Sequence, residues 1–137
     1  MCRLSGLLGE KAGMSGRKIL ENDVKNVVKK LIDEAQQYVP IYTMTPATFG
    51  FGESGHPDRI MVIEGDFYGI ECKKDENNSH TRPELKPTKS EAFQKIQLEK
   101  IRQAGGTTLV IHRNNLGDLR TVLEKYTGTK LKTEVIL

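Results

Sequence analysis

Residues 58–73 read DRIMVIEGDFYGIECK, and this stretch decides the fold. Two runs rich in β-branched and aromatic residues flank the tripeptide Glu-Gly-Asp at 64–66. This pattern is typical of two antiparallel strands joined by a tight turn. The sequence therefore predicts a β-hairpin at the centre of the chain, and the other elements are placed around it.

Three charged side chains of this hairpin are expected to meet. A turn centred on residue 65 puts Asp58 opposite Glu71 to within one residue of register, with their Cβ atoms about 5 Å apart. Lys73 lies two residues from Glu71 and shares its face, whereas Ile70 and Cys72 point to the apolar side. Two carboxylates this close repel each other unless a proton or a cation lies between them. The group is either a structural ion pair involving Lys73 or a site for a hard cation such as Mg²⁺ or Mn²⁺.

The second interpretation has a chemical consequence. A divalent cation can bind a phosphate oxygen, lower the pKa of a bound water and neutralise charge in the transition state. A neighbouring lysine can orient the attacking water or stabilise the developing negative charge. Such a group of residues is suited to the hydrolysis of a phosphodiester bond.

Helical and strand patterns alternate along the rest of the chain. Apolar residues at helical spacing predict a helix from about Lys18 to Gln37. Thr88 and Glu91 fit a capping box that begins a second helix, which continues to about Ala104. The remaining predictions are a possible short strand at 39–42, a strand at 107–113 and a helix at 116–126. Residues 44–57 are predicted to form a loop, and 74–88 a long exposed loop. This order predicts a mixed α/β fold.

Composition excludes several classes of protein. The chain has 137 residues, 36% of them hydrophobic, which suits one domain with a modest core. No stretch approaches the length of a membrane span or of a signal peptide, and Cys2 and Cys72 are too isolated for a disulfide framework or a zinc site. We therefore expect a protein of the reducing cytoplasm with no membrane partner. The net charge of +3 is weak evidence for a polyanionic partner.

Two further polar residues lie on or beside apolar helix stripes. Glu21 is either a first-turn glutamate favoured by the helix dipole or a carboxylate directed toward the protein body. Lys25, on the same helix, is assigned to the solvent side. Gln94 borders a stripe that includes Phe93 and Ile101, and it is either a packing amide or an amide that holds a metal ligand, a water or a phosphate.

Basic residues crowd the loop and helix beside the predicted site: Lys74, His80, Arg82, Lys86, Lys89 and Lys95. They are either a solvated loop offset by nearby acidic residues or contacts to DNA phosphates, which give affinity without base specificity. Neither His80 nor His112 has the spacing of a metal ligand. Phe49 and Phe51 either pack within the protein, stack on a base or contact a partner.

Five motifs in chain order carry a resemblance to a known family. They are Glu21 within ENDVKNVVKKL, Pro57-Asp58, Glu71-Cys72-Lys73, Gln94 and Gly105-Gly106. Together they resemble the VRR-NUC (virus-type replication-repair nuclease) domain, a branch of the PD-(D/E)XK nuclease superfamily. The resemblance covers roughly residues 19–122, while the long loop at 75–89 departs from the family pattern.

The resemblance implies a restriction-endonuclease-like core, in which helices flank a central mixed β-sheet. The metal ligands that it implies are Asp58, Glu71, the backbone carbonyl of Cys72, and Glu21, with Mg²⁺ or Mn²⁺ as the cation. Lys73 then positions water and steadies the scissile phosphate, and Gln94 supports the site.

The function that the resemblance implies is structure-selective cleavage of DNA. We expect a Holliday-junction resolvase that acts as a homodimer, because a four-way junction needs two symmetric incisions. The alternatives are a nickase or repair nuclease on flaps or duplex DNA, and a catalytically silent DNA-binding module. Residues 1–17 are predicted to be a flexible extension, 18–126 the nuclease domain and 127–137 a tail without a counterpart in the family.

Overall fold

The computed structural model describes residues 18–47 and 53–137. Its elements, in chain order, are α1 (Glu21–Ala35), β1 (Ile41–Met44), β2 (Arg59–Ile63), β3 (Asp66–Cys72), α2 (Lys89–Gln103), β4 (Thr107–Ile111) and α3 (Leu116–Thr127). This order confirms the predicted α/β plan, with β1 two residues later in the chain than the predicted short strand. The predicted extension at 1–17, with Cys2, lies outside the described residues, as do Phe49 and Phe51.

The predicted hairpin is confirmed. β2 and β3 pair antiparallel, and Ile63 opposite Asp66 is the last pair before the turn. Glu64 and Gly65 at the turn both have positive φ, 50° and 83°. This backbone matches the right-handed twist of the two strands, and glycine adopts it without steric cost.

The four strands form one mixed sheet in the order β1-β2-β3-β4. β1, β2 and β3 are successively antiparallel, whereas β4 runs parallel to β3. A parallel neighbour requires a crossover, and α2 supplies it. The backbone N–H of Lys73 donates to the Ile111 carbonyl at 2.9 Å, so the end of β3 is held against β4 just where the charged residues occur.

The hydrophobic core lies between one face of the sheet and the helices α1 and α3. Its fully buried side chains include Leu31, Ile32, Met61, Ile63, Ile70, Ile111, Leu119 and Leu123. α2 lies on the opposite face, because a Cβ added at Gly69, next to Ile70 on β3, would come within 2.8 Å of the Ile101 side chain. One face of β3 therefore packs on the hydrophobic core, and the other face packs on α2.

Residues 128–137 contain no helix or strand, yet they pack onto α1. The backbone N–H groups of Lys132 and Thr133 donate to the Glu34 carboxylate at 2.7 and 2.8 Å, and Leu131 is buried in the core. Although burial opposes the effect, these hydrogen bonds lower the pKa of Glu34. The C-terminal segment is thus a docked part of the domain.

No helix in the described parts of the chain is both long and apolar enough to cross a membrane.

Candidate metal centre

The open end of the β2–β3 hairpin brings Asp58 and Glu71 together. Arg59 pairs with Ile70, and the same register extended by one residue places Asp58 opposite Glu71. The backbone N–H of Cys72 donates to Asp58 Oδ2 at 2.7 Å, which fixes the Asp58 carboxylate against β3. The Asp58 and Glu71 carboxylates therefore converge where β2 begins and β3 ends.

Glu71 is a buried carboxylate without full compensation. It is 2% exposed, and among the described residues its Oε1 is a buried oxygen with no hydrogen-bond partner. Burial, and secondly the Asp58 charge, raise the pKa of Glu71 to about 8. Burial and the neighbouring charge therefore favour the protonated form of Glu71 when no cation is present. An unsatisfied oxygen beside a second carboxylate is the arrangement that a hard cation would complete.

Lys73 approaches Glu71 without forming a close ion pair. Its Nζ lies 4.0 Å from Glu71 Oε2 and 3.6 Å from Glu91 Oε2. Both distances exceed those of a charge-assisted hydrogen bond, about 2.7–2.9 Å. The pKa of Glu71 stays high despite this ammonium group. A structural ion pair between Lys73 and Glu71 therefore does not explain why the carboxylate is buried.

Glu91 belongs to the site, although the sequence indicated only its capping role. The capping box is confirmed, because Glu91 N donates to Thr88 Oγ1 at 3.1 Å and Thr88 N to Glu91 Oε1 at 3.2 Å. The Ser79 hydroxyl also donates to Glu91 Oε1, at 2.7 Å. Although burial opposes them, these bonds and the Lys73 charge lower the pKa of Glu91. Glu91 thus holds the Lys73 ammonium group from the α2 side.

The loop at 74–88 is more ordered than predicted. The expectation of an exposed loop is wrong at Asn78 and Ser79, which are buried. Asn78 Nδ2 donates to the Asp75 carbonyl at 2.8 Å, and Thr81 N donates to Asn78 Oδ1 at 2.9 Å. Short asparagine side chains satisfy the loop backbone locally, so the loop can pack against α2 without a strand or helix of its own.

The α1 side of the site contains Glu21 and Lys25. The Lys25 Nζ lies 3.3 Å from Glu21 Oε2 and 3.4 Å from Asp58 Oδ1. Placing Lys25 on the solvent side of the helix was therefore wrong. Residues four apart share a helix face, and Lys25 shares that of Glu21. Burial acts against it, but the Asp58 charge raises the pKa of Lys25. Glu21 is connected to the carboxylate pair through this lysine.

Gln94 makes its hydrogen bonds away from the carboxylates. Its Oε1 lies 2.9 Å from His80 Nε2, and its Nε2 donates to Ser90 Oγ at 3.4 Å. Burial lowers the pKa of His80, although its hydrogen bond with Gln94 acts against this effect. The predicted contact of His80 with DNA stays a prediction. Phe93, predicted to lie on the apolar stripe of α2, is 43% exposed.

The other basic candidates divide into two groups. Lys95 Nζ donates to the Ser79 carbonyl at 3.0 Å, and Arg82 pairs with Glu84 at 2.8 Å, so both support the loop. Lys74, Lys86 and Lys89 are exposed to solvent. These three remain able to contact a phosphate backbone.

The side chains of this site supply only some of the ligands that a divalent cation needs. Within residues 18–47 and 53–137, no three His, Cys, Asp or Glu side chains are grouped so that they alone could hold a metal ion. Asp58 and Glu71 offer two carboxylates, and Mg²⁺ characteristically fills its other positions with water and substrate oxygens. Cys72 contributes no sulfur ligand or nucleophile, because its thiol is buried on the core side and burial raises its pKa.

The fold and the site together define an α/β protein with a carboxylate pair and a lysine at the open end of a central hairpin. No protein-family profile matches this chain, and no curated protein matches its sequence. The resemblance to the VRR-NUC domain therefore rests on the residues quoted above.

Proposed function

We propose that this protein is a metal-dependent DNA endonuclease that hydrolyses phosphodiester bonds. The observation that carries the proposal is the buried, unpartnered Oε1 of Glu71 opposite Asp58. A buried carboxylate without compensation lowers stability, and such groups concentrate at functional sites. Lys73, 4.0 Å away, supplies a positive charge at the same place.

The residues of the chain have separate tasks in this proposal. Asp58 and Glu71, with the backbone carbonyl of Cys72, would hold Mg²⁺ or Mn²⁺. The bound cation would supply Lewis acidity and activation of water. Lys73 would donate a hydrogen bond to the attacking water or to a non-bridging phosphate oxygen and so stabilise the developing charge. Glu91 keeps the Lys73 ammonium group near the carboxylates.

The finer proposal concerns family and substrate. The mixed sheet with helices on both faces, together with the five motifs, supports a PD-(D/E)XK core of the VRR-NUC type. On this resemblance we propose a four-way DNA junction as the substrate and a homodimer as the active form, with one active site for each of two symmetric incisions. Exposed Lys74, Lys86 and Lys89 are the proposed contacts to the DNA backbone.

A cleavage assay tests this proposal. Labelled four-way junction, flap and linear duplex are incubated with the purified chain and Mn²⁺, next to Asp58→Asn and Lys73→Met. Both substitutions should abolish cleavage and leave junction binding intact. Lys29→Met is the matched control, because Lys29 is an α1 lysine that pairs with Asp33 and lies outside the site. Its cleavage should equal that of the wild type.

The outcomes separate the alternatives. Equal cleavage of linear duplex and junction would refute the resolvase proposal and favour a general nuclease. Binding of DNA without cleavage under any divalent cation would favour the silent DNA-binding module.

A further inference from the structure

Of the two Asp58 carboxylate oxygens, Oδ1 is the more available for a cation, because Oδ2 already accepts a backbone hydrogen bond. Asp58 accepts the Cys72 N–H on Oδ2 at 2.7 Å, so this oxygen is fixed by the backbone of β3. Its Oδ1 faces Lys25 Nζ at 3.4 Å. The positive charge nearest to the available oxygen is therefore a side chain of α1.

Lys25 has a second partner to which it can move. Glu21 Oε2 lies 3.3 Å from the same ammonium nitrogen, and the Glu21 side chain is 42% exposed against 22% for Asp58. The Lys25 side chain is 39% exposed, and its flexible four-carbon stem lets the ammonium group leave Asp58 without moving the helix. Glu21 and solvent can then receive it.

Space beside Asp58 is small. A cavity of about 30 Å³ lies between α1 and the ends of the strands, and Lys25, Asp58 and Cys72 are among its lining residues. A volume of this size holds about one water molecule. Glu71 does not line this cavity. A divalent cation bound to Asp58 Oδ1 would nevertheless lie a few ångströms from the Lys25 ammonium group, so the two positive charges would repel each other.

We infer that Lys25 is an internal cation that neutralises Asp58 in the metal-free protein and is displaced toward Glu21 when a divalent cation binds. This inference rests on the proposed metal site. Lys25 thereby weakens metal binding and sets the concentration at which the site fills. Removing the Lys25 charge removes two costs of metal binding. The incoming cation is no longer repelled by Lys25, and no Lys25–Asp58 ion pair has to be broken.

The experiment is isothermal titration of Mn²⁺ into the full chain at pH 8, for the wild type, Lys25→Gln, Lys25→Arg, Lys29→Gln and Asp58→Asn. Lys25→Gln should bind Mn²⁺ roughly three- to tenfold more tightly than the wild type, from one charge a few ångströms from a divalent ion in a half-exposed site. Lys25→Arg keeps the charge and should bind like the wild type. Lys29→Gln, one turn along α1, should also leave the affinity unchanged. Equal or weaker binding by Lys25→Gln would overturn the inference.

A second measurement needs no metal. In the presence of a chelator, Lys25→Gln should lower the melting temperature, and this loss should disappear in the Asp58→Asn background because the partner charge is gone. An equal loss in both backgrounds would overturn the inference, since Lys25 would then stabilise the helix independently of Asp58.

The same titration distinguishes this inference from the proposed function. If Asp58→Asn loses Mn²⁺ binding while Lys25→Gln matches the wild type, the metal site stands and the role of Lys25 is refuted. If neither the wild type nor Lys25→Gln binds Mn²⁺, both the site and the displacement are refuted.

Discussion

Glu71→Gln should make the metal-free protein less sensitive to pH. Gln has nearly the same shape as Glu but never carries a charge. In the wild type, Glu71 is 2% exposed, faces Asp58 and has a pKa raised to about 8. In the unfolded chain the same carboxyl titrates near its ordinary value of about 4.3. The folded protein therefore keeps a proton that the unfolded chain releases.

The sign of the effect follows from this difference. Below pH 4 both states hold the proton, and the contribution of Glu71 to stability is fully present. Between pH 4.3 and 8 unfolding releases a proton, so the free energy of unfolding falls as the pH rises. The full loss is about 5 kcal/mol at most, since the pKa differs by roughly 3.7 units and each unit corresponds to about 1.4 kcal/mol. For a chain of this size the loss corresponds to roughly 15–20 °C in melting temperature.

The assay is thermal unfolding in a chelator at pH 5, 6, 7 and 8 for the wild type and Glu71→Gln. The two proteins should melt at similar temperatures at pH 5, and Glu71→Gln should be the more stable at pH 8. Groups remote from residue 71 titrate equally in both proteins, so the difference between them isolates Glu71 and its coupling to Asp58. Parallel curves over the whole range would refute the assignment of a protonated, uncompensated Glu71.

Three further predictions concern the metal, the packing and the loop. Mn²⁺ affinity should strengthen as the pH rises from 6 to 8 because the cation displaces the Glu71 proton; titration in buffers of different ionisation enthalpy should detect this release, and an unchanged affinity would contradict it. Gly55→Ala should destabilise the protein by roughly 2–3 kcal/mol in urea, because the new Cβ would lie 2.5 Å from the α2 backbone at a φ of +86°. The control Gly128→Ala has positive φ but open space around it and should cost about 1 kcal/mol. Equal losses for the two variants would refute the packing argument. Ser79→Ala should cost about 1–2 kcal/mol in urea, because buried Glu91 loses a hydrogen bond; no change would show that the bond adds nothing.

Local patterns in the sequence predicted most of the architecture. The hairpin turn at Glu64 and Gly65 depends on residues adjacent in the chain, and the capping box at Thr88 and Glu91 spans only three residues. Period-2 and period-3.6 hydrophobic patterns then placed the strands and helices in the correct order. The antiparallel register of the hairpin follows from its turn, which is why Asp58 could be placed opposite Glu71.

The partners supplied by other elements could not be predicted in this way. Ser79 reaches Glu91 only because a loop without periodic pattern packs on α2, and no local rule specifies that packing. Lys25 was misplaced because it lies at the border between the apolar stripe of α1 and the solvent-facing side. The helical pattern does not show which neighbour such a residue has, and only the position of Asp58 reveals the contact. Docking of the C-terminal segment on Glu34 is likewise a contact between residues almost a hundred positions apart.

Crystals of the protein soaked in MnCl₂, with anomalous scattering recorded near the manganese edge, would locate a bound cation directly. A peak within roughly 2.0–2.4 Å of both an Asp58 and a Glu71 oxygen is expected, with the Lys25 ammonium group moved toward Glu21. Absence of a peak at the two carboxylates in the wild type, with manganese bound elsewhere or nowhere, would contradict the proposed metal centre and the nuclease function built on it.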